Sequence, residues 1–386
     1  MNNLLVLTTR YNHKNDPMGA TFIYEQVEQL RLSFDKVLVI AYRPYTPKIL
    51  SFLYSPERKR DSLAKNYEYE NVQVIYIKNF VIPFSIFRYS WAKKGFKSTK
   101  KIFNKYLFKP NIIHAHRTWP IGEIAFLLSK HLKTKYFITA HGYDAYGLYS
   151  KSKYYRTKIK NCLMHAKKVI SVSKKNIHIM SHKMNIPSDK FVFISNGYDK
   201  NKFLPEGDTN NKINGKIKFL SIGFLHKIKG HSILIKAFDA VSKENSNVEL
   251  NIIGDGPERK NLHDLVKKFN LDDRVKLAGS VPHSEIPKWI NLSNFLVLPS
   301  LNEGMPTVML EALGCGKPVI ATKVGGIPEI INEKIGVLVD KDNPDSLAQG
   351  LLSAINQRWD NEYILNYSKD YSWQNIAIKI LKLYHS

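Results

Sequence analysis

At 386 residues the chain exceeds what one hydrophobic core usually organises, so two domains are expected, and 44% hydrophobic with 24% charged residues excludes a disordered chain. No apolar run approaches the roughly 18 residues of a membrane span, the amino terminus lacks a basic segment followed by a long apolar one, and the two cysteines, Cys162 and Cys315, are far apart and without partners at metal-ligand spacing, so neither a disulfide framework nor a zinc site is indicated. A cytoplasmic protein is expected. The formal charge of +25 is one-sided: residues 1–200 carry 35 Lys and Arg against 12 Asp and Glu, residues 201–386 carry 23 against 21, so the first half should meet an anionic partner.

In chain order, the first half reads as short β-branched runs separated by helical patterns: "NLLVLTT", "KVLVIAY", "VQVIYI", "IIHAH", "YFITAHG", "KVISVS" and "FVFISNG". Such alternation predicts βαβ units on a parallel sheet. Between the third and fourth runs, Phe84 to Leu107 predicts an amphipathic basic helix, with Phe84, Phe87, Trp91, Ile102 and Tyr106 on one side, Lys93, Lys94, Lys97, Lys100 and Lys101 on the other, and Gly95 interrupting it. Five lysines suit an anionic membrane surface at up to about 1 kcal/mol each; an ordinary domain helix with a buried aromatic face fits the same pattern. Nucleic acid is not expected, because no recognised binding module accompanies the charge. His114 and His116 share one face of a strand and read as structural, since two imidazoles without a carboxylate or thiol make a poor metal site. His141, just before Gly142, stands at a carboxyl strand end, where open α/β sheets bind ligands.

A polar stretch near residues 200–217 reads as a linker. The rhythm restarts with "KFLSIGF", "VELNIIGDG", "VKLAGS", "FLVLPS", "PVIATKVG" and "GVLVD", giving domains over 1–200 and 213–365 and a C-terminal helix over 366–386 packing back on the first. The fold class is α/β, two doubly wound Rossmann-like domains facing a central cleft. After "FLVLPS" comes "NEGMPTVMLEALGCG". Gly304 allows close backbone approach, Pro306 suits a first helical turn, and the free N–H groups of residues 304–308 would form an anion site for a pyrophosphate. Glu303 and Glu311 would then accept hydrogen bonds from hydroxyls on the groups attached at either end. Asp340-Lys341-Asp342 has the spacing of a metal-binding acidic pair, but its turn context favours local hydrogen bonding. No metal or cofactor is expected. No phosphate-loop motif occurs, and "GDGPER" is not G-x-G-x-x-G.

Over nearly its whole length the chain resembles retaining glycosyltransferase family 4, the GT-B fold with an E-x7-E pair. The resemblance rests on "HAHRTWPIGEIAFLLSK", "ITAHGYD", "VISVSKK", "FISNGYD", "SIGFLHKIKGHSILIKAF", "IIGDGPERKNL", "EGMPTVMLEALGCGKPVIATKVGGIPEII" and "YSWQNIAIKILKLY". It implies a nucleotide-sugar donor bound by the second domain, with Glu303 at the donor sugar beside the anomeric centre and Glu311 on the ribose. Backbone groups of Gly304, Met305, Pro306 and Thr307 would line the sugar and phosphates, Lys229 would face the leaving diphosphate, and His141 would touch the sugar. Gly19 matches the glycine-rich loop near the donor phosphates, although Ala20 replaces a second glycine. The family usually has an arginine where this chain has Phe224, and Lys227 is the expected partial substitute. The implied protein is a metal-independent hexosyltransferase of bacterial surface-polysaccharide synthesis, of the lipopolysaccharide or capsule type. It would work peripherally on the inner face of the plasma membrane with a lipid-linked glycan acceptor. The alternatives are a nucleotide-sugar 2-epimerase and a noncatalytic glycan- or membrane-binding subunit.

Overall fold

The computed structural model describes residues 2–11, 21–45, 65–80, 90–142, 147–206 and 215–386. The chain divides into two units, Met1–Ser195 with Ala377–Ser386, and Asn196–Ile376. The expected strands form, and each unit holds one sheet.

Strands β1 (Asn3–Thr8), β2 (Lys36–Tyr45), β3 (Tyr67–Tyr69), β4 (Val72–Phe80), β5 (Ile112–His116), β6 (Lys135–Ala140), β7 (Lys168–Ser171) and β8 (Phe191–Phe193) make the first sheet. Its order is β3-β4-β2-β1-β5-β6-β7-β8. Every pairing is parallel except that of β3 with β4. All six residues of β1 and all five of β5 are buried, as a parallel sheet covered by helices on both faces requires; apolar runs rather than alternation are the result. The chain proceeds outward from β1 through β2 to β4 and then returns to lay β5 on the other side of β1. Strand order therefore reverses between β1 and β5, and the carboxyl ends there form the crevice in which doubly wound sheets take ligands.

The basic helix spans Trp91–Tyr106; Phe84 and Phe87 lie outside the described residues. Its buried face is Ala92, Gly95, Thr99 and Phe103, not the aromatic stripe expected from the sequence. Gly95 does not interrupt the helix. A Cβ there would lie 2.5 Å from Ile124 Cδ1 and 3.1 Å from the Tyr42 ring, so glycine lets the helix approach the sheet. Thr99 Oγ1 is hydrogen-bonded to the Tyr42 hydroxyl at 2.5 Å. Trp91 and Ile102 pack half-buried on the core, Tyr106 is exposed, and Lys93, Lys94, Lys97 and Lys101 point to solvent. Lys100 is half-buried, its ammonium 5.6 Å from the Phe96 ring.

Strands β9 (Ile217–Ile222), β10 (Val248–Ile253), β11 (Val275–Gly279), β12 (Phe295–Leu298), β13 (Val319–Thr322) and β14 (Gly336–Val339) make the second sheet, parallel throughout, in the order β11-β10-β9-β12-β13-β14. Order reverses here between β9 and β12. Phe219, Phe238, Leu250, Val297 and Leu351 belong to the apolar core of this unit. Towards the C-terminus a helix over Asn361–Ser368 and a 3-10 turn over Lys369–Tyr371 precede the last helix, Trp373–His385. The expected single helix over 366–386 is thus the end of one helix, a 3-10 turn and the last helix. The division between units falls within the last helix, and Tyr384 belongs to the first unit, packing on Phe137 at 5.0 Å and on Phe34 at 6.2 Å.

Candidate active site

In the second unit the loops that follow β9 and β12 flank the reversal of strand order. After β9 come Gly223 to His226, a 3-10 turn over Lys227–Lys229 and the helix His231–Glu244. Lys229 Nζ lies 2.5 Å from Glu303 Oε1, with the two side chains 30% and 11% exposed. Ser300 Oγ donates to the same oxygen at 2.8 Å. Ser300 is buried, and its carbonyl accepts from Thr322 Oγ1 at 2.6 Å, which fixes the strand end carrying it. Both donors meet Oε1, and Oε2 of Glu303 has no hydrogen-bond partner among the described residues.

The loop after Glu303 is braced from outside. Gly326 N–H donates to the Gly304 carbonyl at 2.7 Å, and Asn196 Nδ2 donates to the Met305 carbonyl at 2.8 Å. Gly325 has φ +58, and a Cβ there would collide with the Glu303 carbonyl; glycine alone permits that approach. Pro306 is extended and precedes the helix Thr307–Gly314, one residue earlier than a first-turn proline. With their carbonyls engaged, Gly304 and Met305 keep their N–H groups, and those of Thr307 and Val308, without acceptors among the described residues. Four main-chain donors at a helix entrance are the kind of arrangement that can accept an oxyanion.

Glu311 lies on that helix, buried, with Oε1 3.3 Å from His283 Nε2. The His283 ring packs on Phe203 at 5.6 Å. Neither carboxylate is therefore a solvated surface group. Lys227 is exposed and forms no ion pair or hydrogen bond through its ammonium among the described residues. Phe224, 52% exposed, has its ring parallel to that of His226 with centroids 6.5 Å apart. Asp340 is paired with Lys323 at 3.1 Å, and Asn343, not an aspartate, caps the following helix. Among the described residues no group of three His, Cys, Asp or Glu side chains could hold a metal ion.

In the first unit three imidazoles stand in a row at the ends of β5 and β6. His114 is fully satisfied by the Tyr384 hydroxyl at 2.6 Å and Thr139 Oγ1 at 2.7 Å, a structural role as expected. His116 differs. Its Nδ1 lies 3.1 Å from His141 Nε2, while its own Nε2 is buried without a partner among the described residues. An orphaned N–H is rarer than an underused acceptor, so the proton belongs on Nδ1 of His116, donated to His141, which then carries its proton on Nδ1. Burial holds the His114 and His141 pKa values down to about 3, and burial first, then neighbouring positive groups including Arg117, holds that of His116 well below its ordinary value. His141 is half-buried, 4.9 Å from the Phe22 ring. Gly19 lies outside the described residues. Lys229 and Glu303 are thus brought together in one unit and His141 is placed at a strand end of the other. Ser300, His283, His116 and Arg117 carry no individual signal in the sequence beyond their nearness to strand ends.

Nearly the whole chain shares its architecture with HepE of Anabaena, solved in complex with UDP, at a TM-score of 0.73 and 18% identity over 99% of both chains. Two Rossmann-like units with this topology make up the GT-B fold. Residues 206–371 match the model for glycosyl transferases group 1 and residues 20–202 the model for Glycosyltransferase Family 4. An uncharacterized glycosyltransferase of Methanocaldococcus jannaschii is 32% identical over 75% of this chain and 82% of its own. A candidate teichuronic acid biosynthesis glycosyltransferase of Bacillus subtilis is 25% identical over 90% and 88%. The chain belongs to this glycosyltransferase family.

Proposed function

We propose that the protein is a retaining hexosyltransferase that moves a sugar from a nucleoside-diphosphate sugar to a lipid-linked glycan acceptor in bacterial surface-polysaccharide synthesis. The observation that carries this reading is the cluster of Lys229, Glu303 and Ser300 beside four unpaired main-chain N–H groups. The amides and the Lys229 ammonium hold the diphosphate, Glu303 holds hydroxyls of the sugar, and Glu311, steadied by His283, holds the ribose. The likeness to a UDP-bound fold favours UDP as the first nucleotide to test. The bond from the anomeric carbon to the diphosphate oxygen breaks as the acceptor oxygen bonds to that carbon on the same face, and the acceptor proton passes to the leaving phosphate. The chain supplies positioning and a fixed cation where negative charge develops. No metal is assigned a role.

The solvent-facing lysines of the helix Trp91–Tyr106 fit an anionic bilayer surface, where each contributes up to about 1 kcal/mol. Peripheral attachment to the inner face of the plasma membrane would bring the acceptor within reach. The test incubates the chain and Glu303→Ala with nucleotide-sugars and lipid-linked acceptors. Transfer by the first, lost in the second with the fold intact, is expected. Wild-type turnover by Glu303→Ala refutes the assignment, an epimerised donor without acceptor identifies an epimerase, and binding without turnover a noncatalytic subunit.

A further inference from the structure

Arg117 is the strained residue at the carboxyl end of β5. Its backbone has φ 90 and ψ 150, a region in which only glycine is at ease. The surroundings hold it there. Its N–H donates to the Thr139 carbonyl at 2.9 Å, and Thr118 and Trp119, which follow, are buried. The side chain gains no compensating contact: it is exposed and forms no ion pair or hydrogen bond among the described residues.

Its place in the sheet supplies the second observation. Strand β5 lies beside β1 where strand order reverses, the position at which doubly wound sheets take ligands. His116 and His141 border the same strand ends, and both are neutral at physiological pH, so the imidazoles add no charge there while the Arg117 guanidinium brings a full one. Strain kept at a ligand-binding edge, with a charge left unpaired, has a simple explanation in a partner that arrives from solution.

Resting on the glycosyltransferase reading, we propose that Arg117 is a substrate-binding residue of the first unit whose guanidinium pairs with an oxyanion, phosphate or carboxylate, of a substrate. The planar fork takes two oxygens of such a group at once, which lysine cannot reproduce. The oxyanion can belong to the acceptor or to the donor, and kinetics separates the two.

Arg117→Gly, Arg117→Ala and Arg117→Lys are made in the full chain. Thermal unfolding should show Arg117→Gly more stable than both wild type and Arg117→Ala, because glycine relieves the backbone. A KM increase of at least tenfold, partly recovered in Arg117→Lys, is expected for one substrate: for the acceptor if the oxyanion is there, for the donor if it is the diphosphate. In parallel, inorganic phosphate should shift the Arg117 Nε–H resonance, identified by its loss in the variants. A phosphate-dependent shift in a chain that transfers no sugar retains the anion site and overturns the transferase reading. Transfer with unchanged KM values and no shift overturns the proposal, as does an Arg117→Gly chain less stable than wild type.

Discussion

If Lys229 holds the diphosphate as proposed, Glu303 and the bound diphosphate compete for one ammonium, which makes opposite predictions for the alanine substitutions of these two residues. Lys229 Nζ stands 2.5 Å from Glu303 Oε1, with the side chains 30% and 11% exposed. At that exposure the pair contributes about 1 kcal/mol once solvent screening is discounted. A nucleoside diphosphate must draw the ammonium away from Glu303, so Glu303→Ala should tighten diphosphate binding by about 1 kcal/mol, roughly fivefold. Lys229→Ala removes a charge-assisted bond to the phosphate and should weaken binding by about 2 kcal/mol, roughly thirtyfold. In Lys229→Ala the Glu303 carboxylate keeps the hydrogen bond from Ser300. In the double variant the gain from losing Glu303 should vanish, since no ammonium remains to be released. Calorimetric titration of the four proteins with UDP, GDP and ADP measures these effects directly. If Glu303→Ala loses as much affinity as Lys229→Ala, the two side chains do not compete for one ligand and the division of labour is wrong.

Two further outcomes follow from burial and backbone. His114 and His141 have pKa values near 3, and His231 near 4, against about 6.5 unfolded. Depressed folded pKa values mean the stability is complete above pH 6.5 and is lost at about 1.4 kcal/mol per pH unit for each histidine as pH falls, through about 4 for His231 and about 3 for the other two; urea midpoints that stay flat from pH 6.5 to 4.5 would contradict this. Gly325→Ala should cost more than about 1 kcal/mol, because φ is +58 and the new Cβ meets the Glu303 carbonyl. It should also depress transfer, and an unchanged denaturation midpoint would show that the loop can yield.

Strands were legible because burial on both faces writes them as continuous apolar runs, and "NLLVLT" needed no partner to be read. Strand β3 was not, since "YEY" has three residues and owes its state to antiparallel pairing with Val72 to Val74. The helix Trp91–Tyr106 was legible as a helix while its face was not. Gly95 looks like a break in sequence and becomes the point of closest approach only once Ile124 and Tyr42 are across from it. Glu303 and Glu311 stood out through their setting between strand and helix. Lys229 was singled out as well, but its pairing with Glu303, 74 residues away, was not legible, and neither was His283, 28 residues from Glu311. Such distances are closed by sheet order, which sequence period does not encode.

Sheet order also explains why a basic group appears where it does in each unit. In the second sheet, β9 and β12 are neighbours that diverge in chain order, so the loops leaving them part and expose Lys229 at the carboxyl ends. The same reversal between β1 and β5 in the first sheet leaves Arg117 at a carboxyl end with its backbone strained and its charge exposed. A cation in such a crevice cannot be supplied with a carboxylate by the neighbouring loop without blocking the ligand. On the proposed reading, Lys229 meets this constraint with a carboxylate that itself takes substrate hydroxyls, so that the pairing seen in the structure would be exchanged on binding. Arg117 meets it by remaining unpaired among the described residues. The basic residue of the second unit should therefore respond to loss of its acidic partner, whereas that of the first should respond only to the oxyanion it binds.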